Sequence, residues 1–214
     1  MIPLACQLLV LAKEPVAGRV KTRLSPALTP AQGAAVAAAS LADTLAAVAA
    51  TPVARRVLVL DGAVTFPVPR GVEVLPQRGD GLAERLEAAF DDAGPGLPTL
   101  LVGMDTPQVT SGLLVQAVQA LLRTDAVLGL AADGGWWALG LRRPRPGAFL
   151  GVPMSTSETG AVQARRLADL GLATTPLPVL RDVDTPADLE AVLAALPTGS
   201  ALAELLSCGR QRAA

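Results

Sequence analysis

One pattern constrains the fold more than any other. Short leucine- and valine-rich runs alternate with alanine-rich stretches along all 214 residues. The runs at Leu4–Ala12, Arg56–Leu60, Val72–Leu75, Thr99–Val102, Ala126–Leu130, Trp137–Leu141 and Thr174–Pro178 read as strands. Between them, Leu82–Ala93, Ser111–Arg123, Glu158–Leu170 and Ala187–Leu196 read as helices. A first helix starts with Thr29 as N-cap and Pro30 at its first helical position, and runs to Ala50. Strands alternating with helices predict an α/β domain with a largely parallel sheet. The length suits one domain with a sizeable core. We expect that domain over 1–197, followed by a tail over 198–214 with a short helix and a fraying end.

Composition then removes whole classes of chemistry. The chain has no histidine, no tyrosine and two cysteines. It therefore has no Ser-His-Asp or Cys-His nucleophile, no imidazole metal site and no Cys₄ zinc site. Carboxylates, Lys, Arg, hydroxyls, backbone amides or an oxygen-bound metal must do the work. A net charge of −1 and 2% aromatic residues give no nucleic-acid surface. Residues 1–12 lack a basic start, and Lys13 and Glu14 stand where a signal cleavage site belongs. Apolar stretches are expected to fall short of the ~20 residues of a membrane span. Scarce cysteine adds to an expected cytoplasmic setting without membrane contact.

Four places carry candidate chemistry. The loop after the first strand holds four cations, Lys13, Arg19, Lys21 and Arg23, around Gly18. In open α/β sheets ligands bind beyond the carboxyl ends of strands, and Lys and Arg there neutralise phosphate oxygens. The spaced glycines of a Walker A loop are absent, and a merely solvated basic loop is the alternative. Asp105, in Gly103-Met104-Asp105-Thr106-Pro107, follows a central strand and suits Mg²⁺ or Mn²⁺; capping of the next helix by Asp105 or Thr106 is the plainer account. Asp133-Gly134-Gly135-Trp136-Trp137 suits a hydroxylated acceptor, with an Asp-Gly turn and two core tryptophans as its alternative. Asp182 and Asp184 share one side of an extended segment and face an ion jointly, or Asp184 or Thr185 caps a helix at Pro186. Gln77, Asp80, Glu84, Arg85 and the hydroxyls at 155–157 are minor candidates, Glu84 and Arg85 being equally suited to surface ion pairs.

In order, K-x-P-x-x-G-x-x-K-T-R, G-x-D-T-P, D-G-G and D-V-D-T-P-x-D-L resemble the nucleotide-diphospho-sugar transferase (GT-A) superfamily. Within it the chain is similar to the bacterial radical-SAM/selenodomain-associated, arsenosugar-biosynthesis-type glycosyltransferases, distant relatives of phospholactate and molybdenum-cofactor guanylyltransferases. The resemblance spans about residues 4–196. It implies a single Rossmann-like GT-A domain, with a mostly parallel central sheet and helices on both faces. It implies that Lys13, Gly18, Arg19, Lys21 and Arg23 approach a nucleotide and its phosphates. Asp105 and Asp184 match metal ligands for Mg²⁺ or Mn²⁺, and Asp133 faces the acceptor with Gly134, Gly135 and Trp136. Asp80-Gly81-Leu82-Ala83 departs from a common Gly-Asp-Leu-Gly, and tryptophans replace tyrosines after Asp-Gly-Gly, which removes two hydroxyls.

Sugar transfer from a nucleotide-diphosphate donor to a small-molecule acceptor is the expected activity, with Asp133 as base. Nucleotidyl transfer from an NTP to a phosphorylated small molecule, releasing pyrophosphate, is the alternative on the same fold. A nucleotide-binding protein without turnover is the third reading. A monomer and a homodimer fit the sequence equally.

Overall fold

A computed structural model describes residues 2–211. Among them, seven strands form one sheet in the order β3-β2-β1-β4-β6-β5-β7. They are β1 Leu4–Lys13, β2 Val53–Asp61, β3 Glu73–Pro76, β4 Thr99–Gly103, β5 Ala126–Ala131, β6 Trp136–Leu141 and β7 Thr174–Leu180. Only β6 runs against its neighbours, β4 and β5. The other six strands therefore deliver their carboxyl ends to one edge. This is the Rossmann-like α/β sheet anticipated above.

Burial explains the apolar runs. Cys6 to Val10 are consecutively buried because helices cover both faces of the sheet, which removes the usual alternation. On one face Leu8 and Val10 pack with α1, Pro30–Ala50, and α3, Ser111–Leu121. On the other, Leu9 joins the cluster containing α2, Leu82–Ala93, and Leu167 of α4, Thr159–Asp169. A third cluster joins Leu24, Val36 and Val183 to α5, Pro186–Leu193, and α6, Ala201–Gln211.

Two expectations change. The strand expected from Arg56 begins at Val53, and its arginines are tied rather than terminal. Arg55 reaches Glu73 at 2.8 Å, and Arg56 donates to the Val48 and Thr51 carbonyls. Helix α1 is, contrary to the length expectation, 21 residues, long and apolar enough for a span. Ten of its 21 residues are buried in this molecule, Ser40, Asp43 and Thr44 among them. Its apolar face is a core face.

Within the tail, α6 spans Ala201–Gln211 and is docked on α1. Asp43, 8% exposed, accepts from the Ser200 hydroxyl and the Ala201 and Leu202 amides at 2.7, 2.7 and 3.2 Å. A carboxylate at the start of a helix answers both orphan N–H groups and the positive end of the dipole. Residues 212–214, part of the expected tail, lie outside the described residues.

Candidate functional site

The carboxyl ends of β1, β2 and β4 and the segments after β5 and β7 surround a cleft of about 800 Å³. Its cationic wall begins where β1 ends. Glu14 holds that loop in place, accepting from the Ala63 amide at 2.9 Å and the Thr65 hydroxyl at 3.1 Å. Gly18 takes φ +78°, which lets the chain reverse before a single 3-10 turn, Thr22–Leu24. Leu24 anchors that turn in the third cluster. Lys13, Arg19, Lys21 and Arg23 all line the cleft, while Gly18 does not.

Lys21 differs from the other three cations. Its backbone is left-handed at φ 50°, ψ 36°, and its side chain is only 4% exposed. The Nζ lies 2.5 Å from Asp105 Oδ1 and 3.1 Å from Asp184 Oδ1. Burial works to lower its pKa, but Asp105 and then Asp184 hold the ammonium above the ordinary lysine value. Attraction has therefore overcome desolvation, and the side chain is charged. Arg23 adds a looser contact to Asp184 Oδ2, at 3.4 Å.

The acidic wall forms because two distant segments are stitched together. The Val183 amide donates to the Asp105 carbonyl at 2.9 Å, and Gln108 Nε2 donates to the Arg181 carbonyl at 2.7 Å. Val183 points into the third cluster, so Asp182 and Asp184 are turned to its other side. Neither Asp105 nor Thr106 caps α3; Thr110 does, accepting from the Leu113 amide. Thr185 and Asp188 form a capping box on α5, so Asp184 is free of that task too. Asp182 sits deepest of the group. Its Oδ1 is buried without a partner, and burial, with Asp105, Asp133 and Asp184 nearby, pushes its carboxyl up to about 7.

The third wall is the β5–β6 hairpin. Asp133 Oδ1 accepts from the Gly135 amide at 2.8 Å, closing the turn at the cleft rim. Gly134 has φ +92°, and a Cβ there would collide with the Ser157 carbonyl. The Gly160 amide donates to the Gly134 carbonyl at 2.8 Å. Gly134 and Gly135 thus brace the hairpin against the entrance to α4, and neither lines the cleft. The tryptophans diverge, as adjacent strand residues must. Trp137 is buried, though it too borders the cleft, and donates to the Pro178 carbonyl at 2.9 Å. Trp136 lines the cleft against Phe149, ring centroids 6.2 Å apart, with its indole N–H unpartnered. The reading as two core tryptophans holds for one of them.

One pair escaped the sequence reading. Arg85 reaches Asp61 Oδ2 at 2.6 Å inside the cleft, where an idle surface pair was the alternative expected for Arg85. Beside it, Gln77 Nε2 donates to the Ala12 and Val59 carbonyls, tying the ends of β1 and β2. Asp61 carried a signal akin to that of Asp105, a carboxylate at the carboxyl end of a buried parallel strand.

Residues 37–156 match the family described as an uncharacterized protein conserved in bacteria (DUF2064). The chain belongs to that family. The matched segment holds Asp105 and Asp133, while the 13–23 loop and Asp182 to Asp184 lie outside it. No curated protein matches the chain. Among solved structures it is similar to a protein from Desulfovibrio desulfuricans G20 provisionally named a nucleotide-diphospho-sugar transferase. That likeness has TM-score 0.84 and 25% identity over 96% of this chain and 95% of that one. It also shares its fold with Rv0371c of Mycobacterium tuberculosis H37Rv, solved as a complex with manganese, at TM-score 0.54 and 21% identity over 89% and 99% of the two chains. The 2-C-methyl-D-erythritol 4-phosphate cytidylyltransferase of Thermus thermophilus shares the fold as well, at TM-score 0.53 and 18% identity over 86% and 96%.

The donor set suits a hard divalent cation. Asp105 and Asp184 converge on one cationic point, and Asp182 Oδ1 lacks a partner. Among the described residues no three His, Cys, Asp or Glu side chains form a ready coordination sphere. One or two carboxylates, completed by substrate phosphates and water, is how proteins usually hold Mg²⁺.

Proposed function

We propose that this DUF2064 protein is a transferase acting on a nucleotide-activated donor, and that it moves a sugar from a nucleoside diphosphate to a small-molecule hydroxyl. One observation carries this reading: a four-cation loop faces a carboxylate group across a single cleft at the strand ends. The likeness to the Desulfovibrio protein, at 25% identity over nearly the whole chain, supports it. We place the chain in the radical-SAM/selenodomain-associated group on its motif order.

In this reading Lys13, Arg19 and Arg23, with the Gly18 turn, bind the diphosphate oxygens. Asp105 and Asp184 would hold Mg²⁺ or Mn²⁺, which would supply positive charge to offset that on the leaving diphosphate. Trp136 and the hairpin braced by Gly134 and Gly135 form the acceptor wall. The acceptor oxygen bonds to the anomeric carbon as the bond from that carbon to the diphosphate breaks. Asp133 takes the hydroxyl proton, the chain having no histidine for the task.

Nucleotidyl transfer is the second reading, favoured by the fold shared with a cytidylyltransferase. There a phosphorylated acceptor attacks the α-phosphorus of an NTP and pyrophosphate leaves. Product analysis separates the two: released nucleoside diphosphate marks sugar transfer, released pyrophosphate marks nucleotidyl transfer. Asp105→Asn and Asp133→Asn are each expected to lower turnover by at least a hundredfold, the scale of a lost electrostatic or general-base contribution. Turnover near wild type in both variants would overturn these roles.

A further inference from the structure

The chain contains sixteen arginines but two lysines, Lys13 and Lys21, both in the cleft loop. Every other basic position, including the ion pairs at Arg55, Arg78, Arg85, Arg142 and Arg181, is arginine. The two cations are not equivalent. Arginine is a flat fork, whereas the lysine ammonium is a compact point charge with three donors. A compact point charge suits a place where two carboxylate oxygens from separate segments close to 2.5 and 3.1 Å.

Two features keep that ammonium where it is. The left-handed backbone at Lys21 is a conformation that a non-glycine residue adopts at a cost of about 1–2 kcal/mol, so the surroundings must impose it. Gly33 of α1 lies directly against it: a Cβ there would stand 3.4 Å from the Lys21 carbonyl and 3.7 Å from its Cβ. These features hold the Lys21 backbone in place. Asp105, Asp182 and Asp184 form one group, with Lys21 buried among them and Arg23 at its exposed edge.

We infer that Lys21 is a resident cation that holds the place of the divalent metal, so that ammonium and metal compete for Asp105 and Asp184. Metal binding then releases the ammonium from the carboxylates into the cleft, where phosphate oxygens are its next partners. Binding of metal and of diphosphate are coupled through this one side chain: the metal frees the ammonium, and the diphosphate accepts it. This rests on the transferase reading for the metal itself.

The test is calorimetric titration of Mn²⁺ into the full chain, wild type and Lys21→Met, at one pH without nucleotide. Lys21→Met is expected to bind Mn²⁺ at least tenfold more tightly, because a competing positive charge has gone. Equal or weaker binding by the variant overturns the inference while leaving the transferase reading intact. Absence of binding to both proteins, with or without a nucleoside diphosphate, overturns both. Wild-type protein labelled at lysine provides a second measurement that does not depend on the variant folding. With two lysines, the Lys21 side-chain NMR signal is identifiable, and saturating Mg²⁺ is expected to move it toward the position of a solvated amine. A Lys21 signal unmoved when Mg²⁺ has bound also overturns the inference.

Discussion

At the scale of single residues, Asp182 shows how much the cleft costs. The folded chain keeps its proton up to about pH 7, whereas the ordinary carboxyl loses it near 3.8. Between those values the folded state binds more protons than the unfolded state. Its stability contribution is therefore complete below about pH 3.8, falls as pH rises to 7, and is level above. The gap corresponds to roughly 4 kcal/mol at most, using 1.36 kcal/mol per pH unit. In metal-free protein with chelator present, Asp182→Asn is expected to be more stable than wild type at pH 8 and equal to it near pH 4. Denaturant midpoints across that range check this; a difference that does not grow with pH would contradict it. Asp182 was legible as a candidate from its alternation with Val183. Its depth was not, because depth comes from the backbone bond between Val183 and Asp105, 78 residues apart.

At the scale of elements, the third cluster is what sets the site. Leu24 follows Arg23, and Val183 separates Asp182 from Asp184; both are fully buried beside α5 and α6. The last helix thus reaches the site through two apolar anchors. Asp43→Ala removes the acceptor for three donors at the start of α6. It is expected to destabilise the protein by about 2–3 kcal/mol, the scale of hydrogen bonds to a charged group. Hydrogen exchange should then quicken in α6 and at Leu24 and Val183 before it does in β1. Unchanged stability in urea would show that the helix docks by its apolar face alone. Strands and helices were legible element by element because their apolar periods differ and their caps sit in the sequence, as with Thr29 and Pro30 on α1. What escaped was interaction across distance. Nothing local marks Asp43 as the cap of a helix 158 residues further on, or Arg55 as a strand residue whose charge is paired with Glu73 of β3.

At the scale of the whole molecule, topology turns weak motifs into one place. Six strands end at a common edge, so a basic loop after β1, carboxylates after β4 and β7, and a hairpin after β5 face one another. Each motif alone was as well explained by solvation, capping or a turn; caps on Thr110 and Thr185 remove the capping account for Asp105 and Asp184. The glycines were read from the motif for a ligand, but at Gly134 the close approach of Ser157 already requires one. The most direct measurement is a thermal-shift series of UDP-, GDP- and dTDP-sugars and NTPs, each with and without Mn²⁺, on wild type and Asp105→Asn. A ligand at a hundredfold excess over Kd stabilises by about 2.7 kcal/mol, or roughly 5–10 °C in a domain of this size. The expected result is a shift of that order for at least one nucleotide, dependent on Mn²⁺ and lost in Asp105→Asn. No shift with any nucleotide, or an equal shift in the variant, would contradict a metal-assisted nucleotide site in this cleft.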